Sequence, residues 1–325
     1  MIKILANDGI ENAAKEALQN AGYEVHTTKI PQEELAARIN EFDVLTVRSA
    51  TKVRKPLIDV ITRTKLIIRG GVGLDNIDVA YAQSKGITVK NTPLASSQSV
   101  AELVFAHLFG LVRFLQESNR EMPVNGTTKF KELKEKFSKG SELRGKTIGF
   151  IGFGNIGQAT AKIAIGCGMN VLAYDLYPRD WNLELQLMND VKVPFLIKPS
   201  TKETVISDSD FITIHSAGST QVLGKEEFSG MKKGVGIINC ARGGAINETE
   251  LLEALNSGKI HSAGLDVYED EPVTENQSGL IDHQRTICTG HYAWYSERSM
   301  PELQRRAALN LLNLLKGLPI EDALN

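Results

Sequence analysis

The fold is decided by the stretch Lys146-Thr-Ile-Gly-Phe-Ile-Gly-Phe-Gly-Asn-Ile-Gly157. An apolar strand pattern runs directly into Gly152, Gly154 and Gly157, spaced as Gly-x-Gly-x-x-Gly, and an amphipathic helical pattern follows. In this setting the first glycine permits a tight turn, the second lets the backbone approach a pyrophosphate, and the third lets helix and strand pack closely. The amino terminus of the helix then faces the phosphates. The stretch therefore predicts a strand, a loop and a helix that bind a dinucleotide.

A carboxylate at the end of the next predicted strand indicates which dinucleotide is bound. Asp175 closes the run Val171-Leu-Ala-Tyr-Asp175, about 20 residues past the last glycine, where a carboxylate accepts hydrogen bonds from ribose hydroxyls. A 2′-phosphate would be repelled at this position, so the pattern favours NAD over NADP. Asn155 and Ile156 complete the predicted cofactor loop.

Strand patterns occur in two series along the chain. Short β-rich runs alternate with helical patterns in the first hundred residues and again from Lys146, which predicts two α/β units with parallel sheets. The predicted strands are Ile2–Ala6, Val44–Arg48, Leu66–Arg69, Ile87–Lys90, Thr147–Ile151, Val171–Tyr174, Phe211–His215, Val235–Cys240, Ala263–Val267 and Thr286–Thr289. Helical patterns cover Ala13–Ala21, Asn76–Lys85, Gln98–Val112 and Glu302–Leu315, with helix-start signals at Asn247 and Ser299.

These patterns predict an α/β protein with two doubly wound parallel-sheet domains. We expect a Rossmann NAD domain at residues 99–292, inserted in a flavodoxin-like substrate-binding domain formed by residues 1–98 plus 293–325. The glycine fingerprint begins only near residue 150, so the preceding domain is expected to supply substrate contacts.

Charge and cysteine content exclude several classes of function. The 325 residues carry 37 Lys and Arg against 39 Asp and Glu, a net charge of −2, which offers no general attraction to nucleic acid or to an anionic membrane. The three cysteines are widely spaced, which predicts neither a disulfide framework nor a metal site and favours a reducing compartment. A strand-like amino terminus and the lack of a long apolar run predict a soluble, cytoplasmic protein.

Three residues have the chemistry that hydride removal from an alcohol requires: a base, a cation for a carboxylate, and a group that holds the base. Arg242, Glu271 and His291 each lie just past a predicted strand of the second series. Because the carboxyl ends of parallel strands share one edge of a sheet, we expect all three side chains on the same edge. The planar guanidinium of Arg242 suits a carboxylate.

At these residues the chain closely resembles the D-2-hydroxyacid dehydrogenases, and the resemblance covers essentially its whole length. It implies that His291 is the acid/base, that Glu271 hydrogen-bonds it, and that Arg242 orients the substrate. It also implies a small-molecule 2-hydroxy or 2-oxo acid as substrate and NAD as cofactor. The further residues implied at the cofactor are His215, Ser216, Cys240, Ala241, Asp266 and Ala293, with Asp266 against the nicotinamide side; those implied at the substrate are Arg48, Ser49, Gly71, Val72, Gly73 and Trp294.

Three alternatives remain open within this resemblance. The amino-terminal half is most similar to short D-3-phosphoglycerate dehydrogenases of serine biosynthesis, in which Arg48, Lys52 and Arg54 would meet a phosphate. The chain ends at Asn325, so no regulatory domain after the catalytic core is expected. Around His291, Gly290 replaces the usual proline and Trp294 follows, as in hydroxypyruvate and glyoxylate reductases. An NAD-sensing scaffold of the corepressor type is the third alternative.

The resemblance also bears on oligomeric state and on the loop of His291. Family members are commonly homodimers or homotetramers, and the charged segment Thr127–Lys146 is a plausible subunit contact. Gly290 lacks the fixed φ of proline, so the sequence predicts a less rigid loop around His291. Trp294 is expected to close the pocket over the C3 end of the substrate.

Overall fold

The computed structural model describes residues 1–218 and 220–320. The chain divides into two compact units, one formed by Met1–Ser97 with Tyr295–Asn325 and the other by Gln98–Trp294. From the sequence these divisions are predicted after residues 98 and 292.

The first unit is built on a parallel sheet with the strand order β2-β1-β3-β4-β5. This order is that of flavodoxin-like doubly wound sheets. Its strands are short apolar runs, and their buried side chains require helices on both faces. The strands are β1 (Lys3–Ala6), β2 (Glu24–His26), β3 (Val44–Val47), β4 (Leu66–Arg69) and β5 (Thr88–Lys90); the helices are α1 (Asn12–Asn20), α2 (Gln32–Arg38), α3 (Lys55–Val60) and α4 (Val79–Ser84).

The second unit contains a longer parallel sheet and a separate antiparallel hairpin. Its strands are β6 (Thr147–Ile151), β7 (Asn170–Tyr174), β8 (Trp181–Gln186), β9 (Lys192–Ile197), β10 (Phe211–Ile214), β11 (Val235–Asn239), β12 (Ile260–Leu265) and β13 (Thr286–Cys288). Its helices are α5 (Ser97–Val112), α6 (Leu115–Asn125), α7 (Phe130–Lys136), α8 (Asn155–Gly166), α9 (Lys202–Asp208), α10 (Lys225–Gly230), α11 (Glu248–Asn256) and α12 (Ser278–Ile281). The chain returns to the first unit with α13 (Ser299–Leu315).

The parallel sheet of the second unit has the order β13-β12-β11-β10-β6-β7. The direction in which successive strands are added reverses between β6 and β10. In open α/β sheets, ligands bind outside the carboxyl ends of the strands at such a reversal. The glycine loop follows β6, so the topology sets it at this position.

The hairpin of β8 and β9 is an element that the sequence analysis did not predict. Its strands pair antiparallel from Trp181 with Ile197 to Gln186 with Lys192. The indole of Trp181 packs edge-on against Phe153 of the glycine loop, with ring centroids 4.8 Å apart. The hairpin therefore contributes to the core beneath that loop.

The two predicted helix starts, at Asn247 and Ser299, are stabilised by different hydrogen bonds. At Asn247 the side-chain Oδ1 accepts the backbone N–H of Glu250 at 3.0 Å, which confirms the predicted cap. At α13 the predicted helix start at Ser299 is confirmed; Ser299 exchanges hydrogen bonds with Ser296, and Glu302 accepts from Arg305. The helix begins at Ser299 because the serine pair satisfies its first turn.

Among the described residues, no single helix is both long and apolar enough to span a bilayer. Only α5 and α6 taken together, bent by 56°, reach the required length and composition. The apolar side chains of α5, such as Val104 and Leu108, are buried in the core of the second unit.

Candidate active site

The loop between β6 and α8 has the geometry that the three glycines predict. Gly152 adopts a left-handed φ of +89°, and a Cβ there would lie 2.6 Å from the carbonyl carbon of His215 and the amide nitrogen of Ser216. A Cβ at Gly157 would lie 2.9 Å from the carbonyl oxygen of Gly152, so helix and loop pack in close contact. Gly154 has open space at its Cβ position, so a pyrophosphate can approach the protein backbone there.

The surroundings of this loop fit a dinucleotide. The Asp175 carboxylate lies past the end of β7, where Oδ2 accepts the Phe153 N–H at 2.6 Å and Oδ1 accepts the Tyr177 N–H at 2.9 Å. These bonds orient the carboxylate beside the loop. The Ser216 hydroxyl is shielded from solvent and has no hydrogen-bond partner within residues 1–218 and 220–320. Asn155 opens α8 and is exposed, and Ile156 beside it is half-buried.

Replacing Asp175 with alanine is expected to raise KM for NADH about tenfold, the scale of one hydrogen bond to a charged group. KM for NADPH is expected to fall or stay unchanged, because the repulsion of a 2′-phosphate is removed. Steady-state kinetics with both cofactors measures the ratio. Asp180→Ala, which removes an exposed carboxylate on the same segment, is the control; an unchanged NADH/NADPH ratio in Asp175→Ala would contradict the ribose assignment.

Two histidines of the second unit have pKa values lowered by burial. His215 follows β10, stacks on Phe150 with centroids 5.8 Å apart, and contacts the Thr213 hydroxyl through Nε2 at 3.0 Å. Burial lowers the pKa of His215 to about 3. His107 in α5 is 2% exposed, and burial lowers its pKa to about 4 although the nearby Asp266 charge opposes this. Both imidazoles are therefore neutral at physiological pH.

The lowered pKa values of these two histidines predict that the folded protein loses stability in mild acid. In the unfolded chain a histidine gains its proton near pH 6.5, whereas folded His107 does so near pH 4, so the unfolded state binds more protons between these values. The free energy of unfolding should therefore fall as the pH is lowered through this window, by about 2 kcal/mol from His107 alone between pH 7 and pH 5. Urea unfolding measures it, and His107→Leu should show a shallower slope; the same slope in both proteins would contradict the assignment.

His291 and Glu271 form a close pair in the loops that follow β13 and β12 of the second unit. The Nδ1 atom of His291 lies 2.6 Å from Oε2 of Glu271, and the other carboxylate oxygen, Oε1, accepts the backbone N–H of Tyr268 at 3.1 Å. Because a carboxylate only accepts, Nδ1 carries the proton of this bond. Nε2 is then the ring atom that can exchange a proton with a ligand. Both side chains remain partly open to solvent, at 40% and 36%.

The loop that carries His291 is held in a strained conformation by Asp266. His291 has a φ of +54°, which costs a non-glycine residue about 1–2 kcal/mol. Its N–H donates to the backbone oxygen of Asp266 at 2.7 Å. The amides of Tyr292 and Ala293 donate to the Asp266 carboxylate at 3.2 and 2.9 Å, and the Thr289 hydroxyl donates to it at 2.5 Å. Gly290 predicts a less rigid loop, but in the structure these hydrogen bonds to Asp266 hold it in place.

Asp266 is fully buried beside the loop that carries His291. The resemblance predicts that Asp266 contacts the carboxamide or ribose of nicotinamide, and in the structure its carboxylate accepts hydrogen bonds from the His291 loop. Cys240 and Ala293 are likewise buried, at 7% and 4%, while Ala241 is half-buried. Burial, followed by the Asp266 charge, raises the pKa of the Cys240 thiol, so it is not a thiolate. Cys240 and Ala293 belong to the same buried cluster of the second unit.

The Arg242 loop lies at the same sheet edge. Asn239, which ends β11, pairs with Leu265 of β12, and Leu265 pairs with Cys288 of β13, so the loops after these three strands are neighbours. A Cβ at Gly243 would overlap the Tyr268 carbonyl, so this glycine allows the Arg242 loop to pack on the Glu271 loop. Arg242 is half-buried and its Nη1 donates to its neighbour's carbonyl at 2.7 Å.

In the first unit, the predicted substrate segments follow neighbouring strands. The loop of Arg48 and Ser49 is held by Asp8, whose Oδ2 accepts the Arg48 N–H at 2.7 Å. The N–H of Gly71 donates to the Thr92 hydroxyl at 2.9 Å. The segment continues through Val72, whose carbonyl accepts from Asn91 at 2.6 Å, and Gly73.

Two cations of the first unit, Arg69 and Arg54, differ in their surroundings. Arg69, which was not singled out from the sequence, ends β4 in register with Val47 of β3, so Arg69 and Arg48 lie at the ends of adjacent strands. Arg54, by contrast, donates to the Asp78 carboxylate at 2.9 Å and to the carbonyl of Asp75. Trp294 is half-buried and packs on the core of the second unit.

The family model described as "D-isomer specific 2-hydroxyacid dehydrogenase, NAD binding domain" matches residues 105–293. The chain belongs to this family. It is an NAD-dependent oxidoreductase of the 2-hydroxyacid dehydrogenase class. Within the described residues, no group of three or more His, Cys, Asp or Glu is arranged to hold a metal ion.

Relatives within the family differ in substrate. The hydroxypyruvate reductase of Thermotoga maritima is 38% identical over 95% of this chain and 96% of its own. The D-3-phosphoglycerate dehydrogenase of Methanocaldococcus jannaschii is 37% identical over 100% of this chain, which spans only 60% of that relative. Among solved structures, a glyoxylate reductase from Paecilomyes thermophila superposes with a TM-score of 0.81 at 26% identity, covering 97% of this chain and 95% of that one.

Proposed function

We propose that this dehydrogenase interconverts D-3-phosphoglycerate and 3-phosphohydroxypyruvate with NAD. The observation that supports the reaction is the 2.6 Å contact between His291 Nδ1 and Glu271 Oε2, which leaves Nε2 for proton exchange. The phosphorylated substrate is supported by the similarity of the whole chain to phosphoglycerate dehydrogenases. A phosphate needs cations beyond Arg242, which we assign to the carboxylate, and Arg48 and Arg69 lie at the ends of adjacent strands.

The residues divide the work of the oxidation between them. Nε2 of His291 takes the proton of the C2 hydroxyl, and the O–H electron pair becomes the second bond of the C2 carbonyl. The C2–H bond breaks, and its electron pair leaves with the hydrogen as hydride. Bound NAD supplies the hydride acceptor. Glu271 stabilises the imidazolium that forms, and Arg242 holds the substrate carboxylate through its planar fork. In reduction His291 returns the proton.

The cofactor contacts follow from the loop geometry. The amides of Gly154, Asn155, Ile156 and Gly157 lie at the amino terminus of α8, where a pyrophosphate is stabilised by free N–H groups and the helix dipole. The Gly152 N–H donates instead to the Tyr174 carbonyl, so Gly152 contributes the turn. Asp175 accepts from the adenosine ribose, and Ser216 offers the hydroxyl that lacks a partner among the described residues.

A hydroxypyruvate or glyoxylate reductase is the second candidate. It is supported by the hydroxypyruvate reductase of similar length and by Trp294, whose large side chain two residues past Tyr292 would close over a substrate without a phosphate.

Substrate comparison distinguishes the two candidates. NADH consumption is followed with 3-phosphohydroxypyruvate, hydroxypyruvate, glyoxylate and pyruvate in parallel. The proposal expects kcat/KM for the phosphorylated acid to exceed that for hydroxypyruvate by about 100-fold, the scale of a charge-assisted contact to a phosphate. A preference for hydroxypyruvate or glyoxylate would favour the reductase, and turnover of none would favour the scaffold alternative.

We further propose a cytoplasmic homodimer or homotetramer that contributes to serine biosynthesis. The arm that follows α5, residues 115–139, carries large apolar side chains whose exposed fractions in the single chain are 64% for Leu115, 74% for Val124 and 60% for Phe130. Exposed apolar surface of this kind supports self-association. This arm includes much of the predicted contact segment Thr127–Lys146.

A further inference from the structure

A polar chain of three side chains runs from α5 to the loop of His291. His107 lies in α5, and its Nε2 is 3.2 Å from the Thr289 hydroxyl. The Thr289 hydroxyl is in turn 2.5 Å from Oδ1 of Asp266. A Cβ at Gly264 of β12 would lie 2.8 Å from the Cβ of His107, so the imidazole occupies a slot that exists because this strand residue is glycine.

The direction of each hydrogen bond in this chain follows from its members. The Asp266 carboxylate only accepts, so the Thr289 hydroxyl donates to it and must accept from His107. His107 is neutral and has a single N–H, which is therefore on Nε2. Its Nδ1 is buried and has no hydrogen-bond partner in the part of the chain that the structure describes.

The other end of the chain is the backbone of the catalytic loop. Asp266 accepts the amides of Tyr292 and Ala293 through its carboxylate and that of His291 through its backbone oxygen. The turn is strained at His291, so it persists only while these bonds determine it. Whatever orients the Asp266 carboxylate also orients the turn.

We propose that His107 is a positioning residue for His291, acting through Thr289 and Asp266. An apolar side chain would fill the same slot without leaving a buried nitrogen unsatisfied, so the imidazole is costly as packing alone. Its N–H fixes the Thr289 hydroxyl rotor toward Asp266, and Asp266 then holds the His291 turn. The inference rests on the proposed role of His291.

The test removes the N–H and then restores it. His107→Leu is expected to lower kcat about tenfold, the scale of one lost hydrogen bond, with KM for NADH within about twofold of wild type. His107→Gln, whose amide nitrogen can donate from a similar place, is expected to restore kcat to within about twofold. Full activity in His107→Leu, or a glutamine variant as impaired as the leucine variant, would overturn the proposal.

A double-mutant cycle tests the route through Thr289. Thr289→Val keeps the volume and removes the hydroxyl, so it should lower kcat about as much as His107→Leu, and the double variant should be no worse than either. Multiplied losses would contradict the route. If His107→Leu does not fold, Thr289→Val and His107→Gln still decide, since the proposal requires a loss in the first and near-normal kcat in the second. His291→Ala assayed alongside separates the two proposals: its normal turnover would refute the role of His291 itself.

Discussion

Replacing His291 with alanine is expected to lower kcat by at least about 100-fold, the usual scale for a lost general acid/base. The hydroxyl proton then has no acceptor at the sheet edge, and Glu271 loses the ring that it holds at 2.6 Å. NADH affinity should be unchanged, because the glycine loop lies after β6 and the His291 loop after β13. Turnover and NADH fluorescence titration together measure the two effects.

The control for this variant is His261→Ala, which removes an exposed imidazole from β12 of the same unit. It should leave kcat within about twofold of wild type. Normal turnover in His291→Ala would remove His291 from the mechanism, and lost NADH binding would mean that the variant disturbs the cofactor loop rather than proton transfer.

Replacing Arg242 with alanine is expected to raise KM for the 2-oxo acid about 100-fold, since removing one partner of a hydrogen-bonded charge pair costs about 2–5 kcal/mol. Arg242→Lys should recover only part of this loss, because an ammonium group cannot match a carboxylate with two parallel bonds. KM for NADH should change little. Initial rates over a range of substrate concentrations separate the two constants.

Lys233→Ala is the matched control for Arg242, since it removes an exposed cation before β11 rather than after it. We expect its KM values to equal those of wild type. An unchanged substrate KM in Arg242→Ala would exclude carboxylate binding by this residue.

The parts of the structure that the sequence predicted are those governed by local rules. Three glycines at fixed spacing demand a tight turn, an open approach and close helix packing, and Gly152, Gly154 and Gly157 each have the corresponding geometry. Strand ends are also local, so the common edge of Arg242, Glu271 and His291 followed from the parallel sheet alone.

The parts that the sequence did not predict depend on contacts between distant segments. Asp266 and Ala293 are 27 positions apart, and only the folded sheet shows that the Asp266 carboxylate holds the loop of His291. His107 was hidden in an apolar helical pattern, although a lone histidine among apolar residues was a signal of a buried partner. The β8–β9 hairpin has alternating side chains, but its pairing depends on packing of Trp181 against Phe153.

The most direct test of the central claim is NADH formation from matched D and L enantiomers of 3-phosphoglycerate, glycerate and lactate, with NAD as oxidant. A dehydrogenase of this family that uses the His291–Glu271 pair is predicted to oxidise at least the D enantiomer of 3-phosphoglycerate and to leave each L enantiomer unreacted. Oxidation of the L enantiomers, or of no compound in the series, would contradict the account.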